Sequence, residues 1–216
     1  MDYKISKSCQ IKNLDEIYNR IFGDKRTGFF IDVGAYDGYE WSNTWGLSEV
    51  GWEGLCIEPY PMYAEKCSNL HTLSNHKVET LECAVGNVNC RCNMFLDPKG
   101  PSHSIDENTV VRSPWGFSYD GSKLEVECFT LDFILDKMIM LTKHIDVLSI
   151  DVEGAEIKVL EGFSVDIRKP TLIILETHEG QEGKDYNNIE IDAIMRRNKY
   201  EKIQTDGLNS IYTSST

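Results

Sequence analysis

The stretch Gly28-Phe-Phe-Ile-Asp-Val-Gly-Ala-Tyr-Asp-Gly38 constrains the fold of this chain more than any other. Its apolar, partly β-branched run predicts a buried strand. Gly34 and Gly38 follow in a turn without side chains at these two positions, which lets a ligand approach the backbone closely. Asp32 lies inside the run, at the carboxyl end of the strand. Because a buried carboxylate costs several kcal/mol without a partner, we expect a cationic or hydroxyl-bearing ligand, and a nucleoside cofactor is the leading candidate.

Composition excludes several classes of protein. The 216 residues carry a net charge of −13, which argues against nucleic acid as a partner, because the phosphate backbone is itself anionic. No apolar run approaches the roughly 18 residues of a membrane helix, and the first residues lack the apolar region of a signal peptide. Seven scattered cysteines are expected to be reduced, and the isolated pair Cys90 and Cys92 lacks the ligand spacing of a zinc site. We expect a cytoplasmic protein without a membrane partner.

Strands and helices alternate along the chain. Residues 1–27 are expected to form an N-terminal helical segment, in which Leu14, Ile17, Tyr18 and Ile21 share one helix face. The units that follow end in a hairpin, which predicts one α/β domain over residues 1–216, with a mostly parallel sheet and one antiparallel strand. Residues 97–122 are rich in Pro, Gly and Ser and are expected to form a long functional loop. The later strands are predicted at Leu55–Ile57, His76–Cys83, Lys123–Phe129, Ile145–Ile150 and Thr171–Leu175.

Acidic residues lie at four predicted strand ends. Asp32, Glu58, Asp151 and Glu176 should converge on one rim, since ligands bind outside the carboxyl ends of strands in an open parallel sheet. Glu58 stands about 20 residues beyond a glycine turn, the arrangement that holds ribose hydroxyls in nucleoside-binding sheets. The turn itself lacks Gly-x-Gly-x-x-Gly, and Asp32 and Asp37 would repel a pyrophosphate. A nucleoside without phosphates is therefore expected.

Five motifs together resemble the FkbM family of S-adenosylmethionine-dependent methyltransferases. They are Phe30-Ile-Asp-Val-Gly-Ala-Tyr-Asp-Gly38, Ser42-Asn-Thr44, Gly51-Trp-Glu-Gly-Leu-Cys-Ile-Glu-Pro59, Cys83-Ala-Val-Gly86 and Asp146-Val-Leu-Ser-Ile-Asp-Val-Glu-Gly-Ala-Glu156. The resemblance spans roughly residues 28 to 180, most of a domain of ordinary size. It implies a Rossmann-like class I methyltransferase fold, with a seven-stranded sheet and helices on both faces. It also implies methyl transfer to an oxygen, often on a sugar or polyketide-type molecule.

The same resemblance implies a cofactor site. The turn from Asp32 to Gly38 would receive the methionine part of S-adenosylmethionine, Glu58 the ribose hydroxyls, and the end of the third strand the adenine. A cationic sulfonium suits an acidic rim without a phosphate cradle. The implied cofactor-binding residues are Asp32, Gly34, Ala35, Tyr36, Asp37, Gly38, Asn43, Thr44, Glu58, Pro59, Glu82, Cys83, Ala84 and Asp151.

The catalytic candidates lie at Asp151-Val-Glu153 and Glu176-Thr-His178. A sugar hydroxyl is a very weak acid, so its attack on a methyl carbon needs a positioned base or a metal ion. By resemblance to metal-dependent sugar O-methyltransferases, Asp151 and Glu176 would hold Mg²⁺ or Mn²⁺ and Glu153 would be the base. His178 is either a further metal ligand or the alternative base, and Glu153 and Glu156 also suit a helix N-terminus.

The acceptor is expected to be a small molecule or glycan, contacted from the 97–122 loop by Ser102, His103, Ser104 and Arg112. Aromatic and hydroxyl groups suit a sugar, whose faces are apolar and whose edges are polar. A metal-independent methyltransferase on a non-sugar acceptor, a nicotinamide-dependent oxidoreductase and a non-catalytic cofactor-binding module remain as alternatives. The sequence leaves the number of subunits open.

Overall fold

The computed structural model describes residues 3–98, 100–107, 120–138, 143–179 and 188–214. Its helices are α1 (Leu14–Phe22), α2 (Trp45–Glu49), α3 (Pro61–Leu73), α4 (Leu131–Lys137), α5 (Glu156–Glu161), α6 (Val165–Arg168) and α7 (Asn188–Arg197). Its strands are β1 (Phe29–Val33), β2 (Glu53–Ile57), β3 (Lys77–Leu81), β4 (Ala84–Val85), β5 (Cys90–Phe95), β6 (Lys123–Phe129), β7 (Val147–Ile150), β8 (Leu172–Glu176), β9 (Tyr200–Thr205) and β10 (Asn209–Ser214).

Seven strands form the central sheet, in the order β3-β2-β1-β7-β8-β10-β9. The pairs from β3 to β8 are parallel, and β10 runs antiparallel to both of its neighbours, β8 and β9. The order reverses direction at β1, from which the chain proceeds first to β2 and β3 and later to β7 on the other side. Parallel strands at such a switch point leave a crevice beyond their carboxyl ends, where ligands bind. The predicted fold class, with one antiparallel strand, is confirmed.

Strand β1 is buried along its whole length because helices cover both faces of the sheet. Phe29, Ile31 and Val33 pack in one apolar cluster with α4, α5 and α7. Phe30 points to the opposite face, into a cluster with α1, α2 and α3. This alternation places Asp32 on the same side of the sheet as Phe30. Because that side is apolar, the Asp32 carboxylate needs polar partners there.

The N-terminal helix forms where its pattern predicts. Leu14, Ile17 and Tyr18 of α1 are buried against the sheet, and Gly23 ends the helix with a positive φ of 53°. The segment before α1 also packs closely, with Tyr3, Cys9 and Ile11 each no more than 2% exposed. Tyr3, Cys9 and Ile11 therefore form part of the core on this face of the sheet.

A second, three-stranded sheet in the order β4-β6-β5 was not predicted as a unit. The expected strand at Lys123–Phe129 forms as β6, but its antiparallel partner β5 contains no β-branched residue and was not predicted. This small sheet packs Met94 and Cys128 into its own apolar cluster. All seven cysteines are free thiols. In the described part of the chain, every helix is too short or too polar to cross a membrane.

Candidate active site

A cavity opens at the carboxyl ends of β1, β2 and β7 and encloses about 920 Å³, including the open space at its mouth. Ten of the residues predicted to bind the cofactor line it: Asp32, Gly34, Ala35, Tyr36, Asn43, Glu58, Pro59, Cys83, Ala84 and Asp151.

Gly34 forms the floor of the cavity, where the turn after β1 crosses the end of β7. Its φ is +84°, and a Cβ at this position would lie 1.7 Å from the backbone oxygen of Asp151. Its N–H donates to the oxygen of Ile57 at 2.9 Å, which fixes the turn to the end of β2 as well. Only glycine fits such a contact without displacing the backbone of a neighbouring strand.

Asp32 is 4% exposed and lies beneath this turn. Its Oδ2 accepts a hydrogen bond from Thr44 Oγ1 at 2.6 Å, so Thr44 supports Asp32 and lies outside the cavity lining. Burial raises the pKa of Asp32 to about 6, while hydrogen bonds from Thr44 and Ser149 oppose the rise. Asp32 is therefore largely ionised at neutral pH and faces a cavity that suits a cation.

Glu58 joins two loops at the end of β2. Its Oε2 accepts from the N–H of Tyr36 at 3.0 Å, and its Oε1 accepts from the N–H of Tyr60 at 2.9 Å. Each carboxylate oxygen keeps a second lone pair, which is available to a hydroxyl in the cavity. Burial raises the pKa of Glu58 to about 7, against the lowering effect of these two bonds.

Three further predicted cofactor residues lie outside the cavity lining. Asp37 Oδ1 accepts from the N–H groups of Tyr39 and Glu40, at 3.0 and 2.8 Å, and so closes a local turn. Gly38 packs against α3, with Cys67 Sγ 2.9 Å from the position of an added Cβ. Glu82 is exposed and borders a separate surface pocket. The structure gives Asp37 and Gly38 roles in shaping the turn.

The end of β7 carries a second group of carboxylates. Asp151 and Glu153 line the cavity, and Glu153 has a strained positive φ of 54°. Burial, followed by the negative charges of Glu176 and Glu153, raises the pKa of Asp151 well above its ordinary value. Glu156 Oε1 instead accepts from the N–H groups of Val152 and Gly154, which confirms its interpretation as a group at the start of a helix.

Glu176 and His178 meet at the end of β8. His178 Nε2 lies 3.0 Å from Glu176 Oε1, and the negative charge of Glu176 contributes to the raised pKa of Asp151. Both residues lie behind Asp151, outside the cavity lining. Among the described residues, three potential metal-ligand atoms come within 4.8 Å of one another at Cys56, Cys67 and His71, and the Asp151, Glu176 and His178 set forms no such group.

Of the predicted acceptor contacts, His103 reaches the cavity. Its Nδ1 accepts from the N–H of Asp97 at 3.1 Å, and its ring stacks on Tyr63 at 5.6 Å. Burial lowers the pKa of His103, so the ring is neutral at pH 7. Ser104 is buried and pairs with Phe95 by backbone hydrogen bonds, and Ser102 is partly buried outside the lining. Arg112 lies outside the described residues.

Several cavity residues were not predicted from the sequence. Gln10 reaches in from the N-terminal segment, where its Nε2 donates to Asp151 Oδ2 at 3.4 Å and its Oε1 accepts from Asn209 at 3.0 Å. Trp41 stands at the mouth with 46% exposure and stacks on Tyr36 at 5.6 Å. Trp41 could have been predicted as a cavity residue because it stands close in sequence to the motif glycines. Gln10 could not, because a polar residue ahead of a helix gives no indication of a cavity contact.

The charges of the cavity indicate which ligand it suits. The carboxylates of Asp32, Glu58, Asp151 and Glu153 belong to the lining, and none of the described lining residues is Lys or Arg. A lining with acidic groups and no basic ones among its described residues favours a cation over phosphate. An open α/β sheet with this strand order and this rim defines a class I methyltransferase, whose cofactor is S-adenosylmethionine.

Comparisons with solved structures agree with this class. The precorrin-6y C5,15-methyltransferase of Geobacter metallireducens GS-15 superposes with a TM-score of 0.50 and 11% identity, over 100% of this chain and 95% of that one. A SAM-dependent methyltransferase of Agrobacterium tumefaciens gives a TM-score of 0.50 and 8% identity, over 94% of this chain and 61% of that one. Identities this low establish the fold alone.

The methyltransferase FkbM domain matches residues 32–202 of this chain. The match covers more than half of the sequence and includes the turn after β1, the ends of β2 and β7, and helix α7. The chain belongs to the FkbM methyltransferase family. A search of curated proteins found no significant match.

Proposed function

We propose that this protein transfers the methyl group of S-adenosylmethionine to a hydroxyl oxygen of a small molecule, a sugar in a glycan or glycosylated metabolite. The observation that carries the proposal is the position of Glu153. It lines the cavity two residues beyond Asp151, whose backbone oxygen meets the cofactor turn at Gly34. A carboxylate thus lies beside the position expected for the methyl donor.

Glu58 and Asp32 have the properties of cofactor-binding groups. The free lone pairs of Glu58 suit the two ribose hydroxyls, which would stabilise its ionised form and lower its pKa from about 7. Asp32 supplies negative charge to the sulfonium side of the cavity. Cys83 and Ala84 are small, buried lining residues at the third strand's end, suited to the flat face of adenine.

Glu153 would act as the general base. The acceptor hydroxyl gives its proton to Glu153 while its oxygen attacks the methyl carbon, and the electron pair of the breaking C–S bond stays on sulfur. The products are the methyl ether, neutral S-adenosylhomocysteine and a protonated Glu153, which then releases its proton to water. Asp151, with its raised pKa, contributes a polar but less charged surface beside this step.

His178 is a weaker candidate for the base. Its Nε2 contacts Glu176 and it lies outside the cavity lining, whereas Glu153 belongs to that lining. Mg²⁺ or Mn²⁺ at Asp151, Glu176 and His178 does not fit either, because the ligand atoms of these three residues form no compact group. We therefore propose metal-independent transfer, in which activity survives extensive dialysis against EDTA.

The acceptor class is supported by the mouth of the cavity. Trp41 is exposed and stacked on Tyr36, and a flat aromatic face suits the apolar face of a sugar ring. Release of S-adenosylhomocysteine should be measured with a panel of monosaccharides and glycosides, and with catechol as a phenolic acceptor. Turnover of catechol alone would contradict the sugar acceptor.

Glu153→Gln is the test of the base. This variant should bind S-adenosylmethionine within about twofold of wild type while its methyl transfer falls by about 100-fold or more, the usual effect of losing a general base. Glu190→Gln is the matched control, since Glu190 is exposed on α7. A Glu153→Gln variant with wild-type turnover, or a loss of the same size in the control, would contradict the assignment.

A further inference from the structure

A second cluster of reactive side chains lies beneath the cofactor turn and takes no part in the proposed chemistry. Cys56 is on β2, and Cys67 and His71 are four residues apart on α3, which places them on one helix face. Their exposed fractions are 0%, 0% and 1%. Two thiols and an imidazole are thus held together in the interior, between the sheet and the helix.

The three ligand atoms converge on one point. Cys56 Sγ lies 3.7 Å from His71 Nε2, and the two sulfur atoms and this nitrogen are all within 4.8 Å of one another. Both Cys67 Sγ and His71 Nε2 also approach Gly38, at 2.9 and 3.0 Å from the position of an added Cβ. The point of convergence therefore touches the turn that carries Gly34.

The surroundings orient these ligands as metal sites do. His71 Nδ1 lies 3.0 Å from His76 Nδ1, and His76 Nε2 lies 3.2 Å from Glu49 Oε1. A ring held through its second nitrogen, with a carboxylate further out, is typical of metal-binding histidines. Thr80 Oγ1 donates to Cys67 Sγ at 3.6 Å, a bond that favours a thiolate.

The geometry points to a binding site for a soft metal ion, Zn²⁺ or Cu⁺, held by Cys56 Sγ, Cys67 Sγ and His71 Nε2. Thiolate and imidazole ligands select these ions over Mg²⁺ and Ca²⁺. Binding displaces the protons of the two thiols into solvent.

Such an ion would have a structural role. It would tie β2 to α3 and support the turn at Gly38 from below, on the side away from the cofactor. Three protein ligands satisfy Cu⁺, whereas Zn²⁺ takes a fourth ligand such as water. The site is independent of the methyl acceptor and of Glu153, so it can be tested whether or not methyl transfer is observed.

The test is metal retention by the full chain. Three proteins are compared: wild type, Cys67→Ala and the control Cys83→Ala. Each is reduced and stripped of metal with a chelator, and is then incubated with Zn²⁺, or with Cu⁺ in the absence of oxygen. Each is desalted before its metal content is measured by elemental analysis. Cys83 is 2% exposed in an apolar cluster away from His71, so its truncation matches the loss of a buried thiol. Wild type and Cys83→Ala should keep about one ion per chain and Cys67→Ala fewer than about 0.1.

Co²⁺ offers a second readout, because thiolate ligation gives a sulfur-to-metal absorption band in the near ultraviolet. The band should appear with wild type and Cys83→Ala, and His71→Gln should weaken it while circular dichroism shows that the chain is folded. Wild-type protein that keeps no more of either ion than Cys67→Ala would overturn the proposal. If Cys67→Ala fails to fold, wild-type protein that keeps much less than one ion per chain still overturns the proposal.

Discussion

Glu58 stabilises the fold and also lies in the lining of the candidate site. The sequence predicts its ribose contact from its place at a strand end, and the structure adds that its two oxygens already accept the N–H groups of Tyr36 and Tyr60. Its burial means that the folded protein holds a proton at this carboxyl up to a pKa of about 7. The free energy of unfolding should therefore depend on pH through Glu58.

The direction of this pH dependence follows from the raised pKa of Glu58. The folded chain binds this proton more tightly than the unfolded chain, whose glutamate has a pKa of 4.5, so the contribution of Glu58 to stability falls as pH rises through the interval between these values. Relative to Glu58→Gln, which does not titrate, wild type should lose roughly 2 to 3 kcal/mol between about pH 5 and about pH 8.

Urea unfolding of both proteins across this range measures the difference. Glu82→Gln is the control, because Glu82 is exposed near the end of the neighbouring strand, and its profile should follow wild type. A wild-type advantage over Glu58→Gln that is constant with pH, or that grows as pH rises, would contradict the burial of this carboxyl.

The acidic residues were predictable because strand ends in a parallel sheet meet at one edge. The roles of Asp37, Thr44 and Glu176 were not, since each is decided by a partner that only the folded chain supplies. Thr44 donates to Asp32 from the far side of the turn, and Asp37 closes a local turn that the sequence alone does not separate from ligand binding.

At the scale of elements, the contact between the β1 turn and the end of β7 sets the geometry of the cavity. Gly34 and Gly51 both have positive φ, at +84° and +88°, but an added Cβ at Gly34 would collide with Asp151 whereas none of the described atoms lies within 4 Å of one at Gly51. Comparing the two alanine variants therefore separates backbone strain from close approach.

Gly51→Ala should lower the free energy of unfolding by about 1 to 2 kcal/mol, the ordinary penalty for a residue with a side chain in a left-handed conformation. Gly34→Ala should cost at least about 2 kcal/mol more, because β1 and β7 must move apart. Thermal or urea unfolding of the pair measures this, and costs that agree within about 0.5 kcal/mol would contradict the close contact.

Strand β5 is an element that the sequence pattern did not predict. Cys90, Cys92 and Met94 alternate with polar residues, but none of its residues is β-branched and the first four are exposed or only partly buried, so residue type gives little sign of a strand. It becomes a strand because β6 pairs with it along its whole length. The strands buried on both faces, such as β1 and β8, carry continuous apolar runs and were predicted.

The whole molecule brings distant segments to one cavity. The sequence predicted the walls at β1, β2 and β7 because each carries its own motif. Gln10 hydrogen-bonds Asp151 from 141 residues away, a closure that depends on how the N-terminal segment packs against the finished sheet. A pattern that is local in sequence carries no information about that contact.

The central claim is that this cavity holds S-adenosylmethionine, and equilibrium calorimetry tests it most directly. Wild type should bind S-adenosylmethionine at one site and much more tightly than NAD⁺, whose phosphates the acidic rim repels. Glu58→Ala should weaken this binding by at least about tenfold, or about 1.4 kcal/mol, through loss of the ribose contacts. An absence of S-adenosylmethionine binding, or equally tight binding of NAD⁺, would contradict the account.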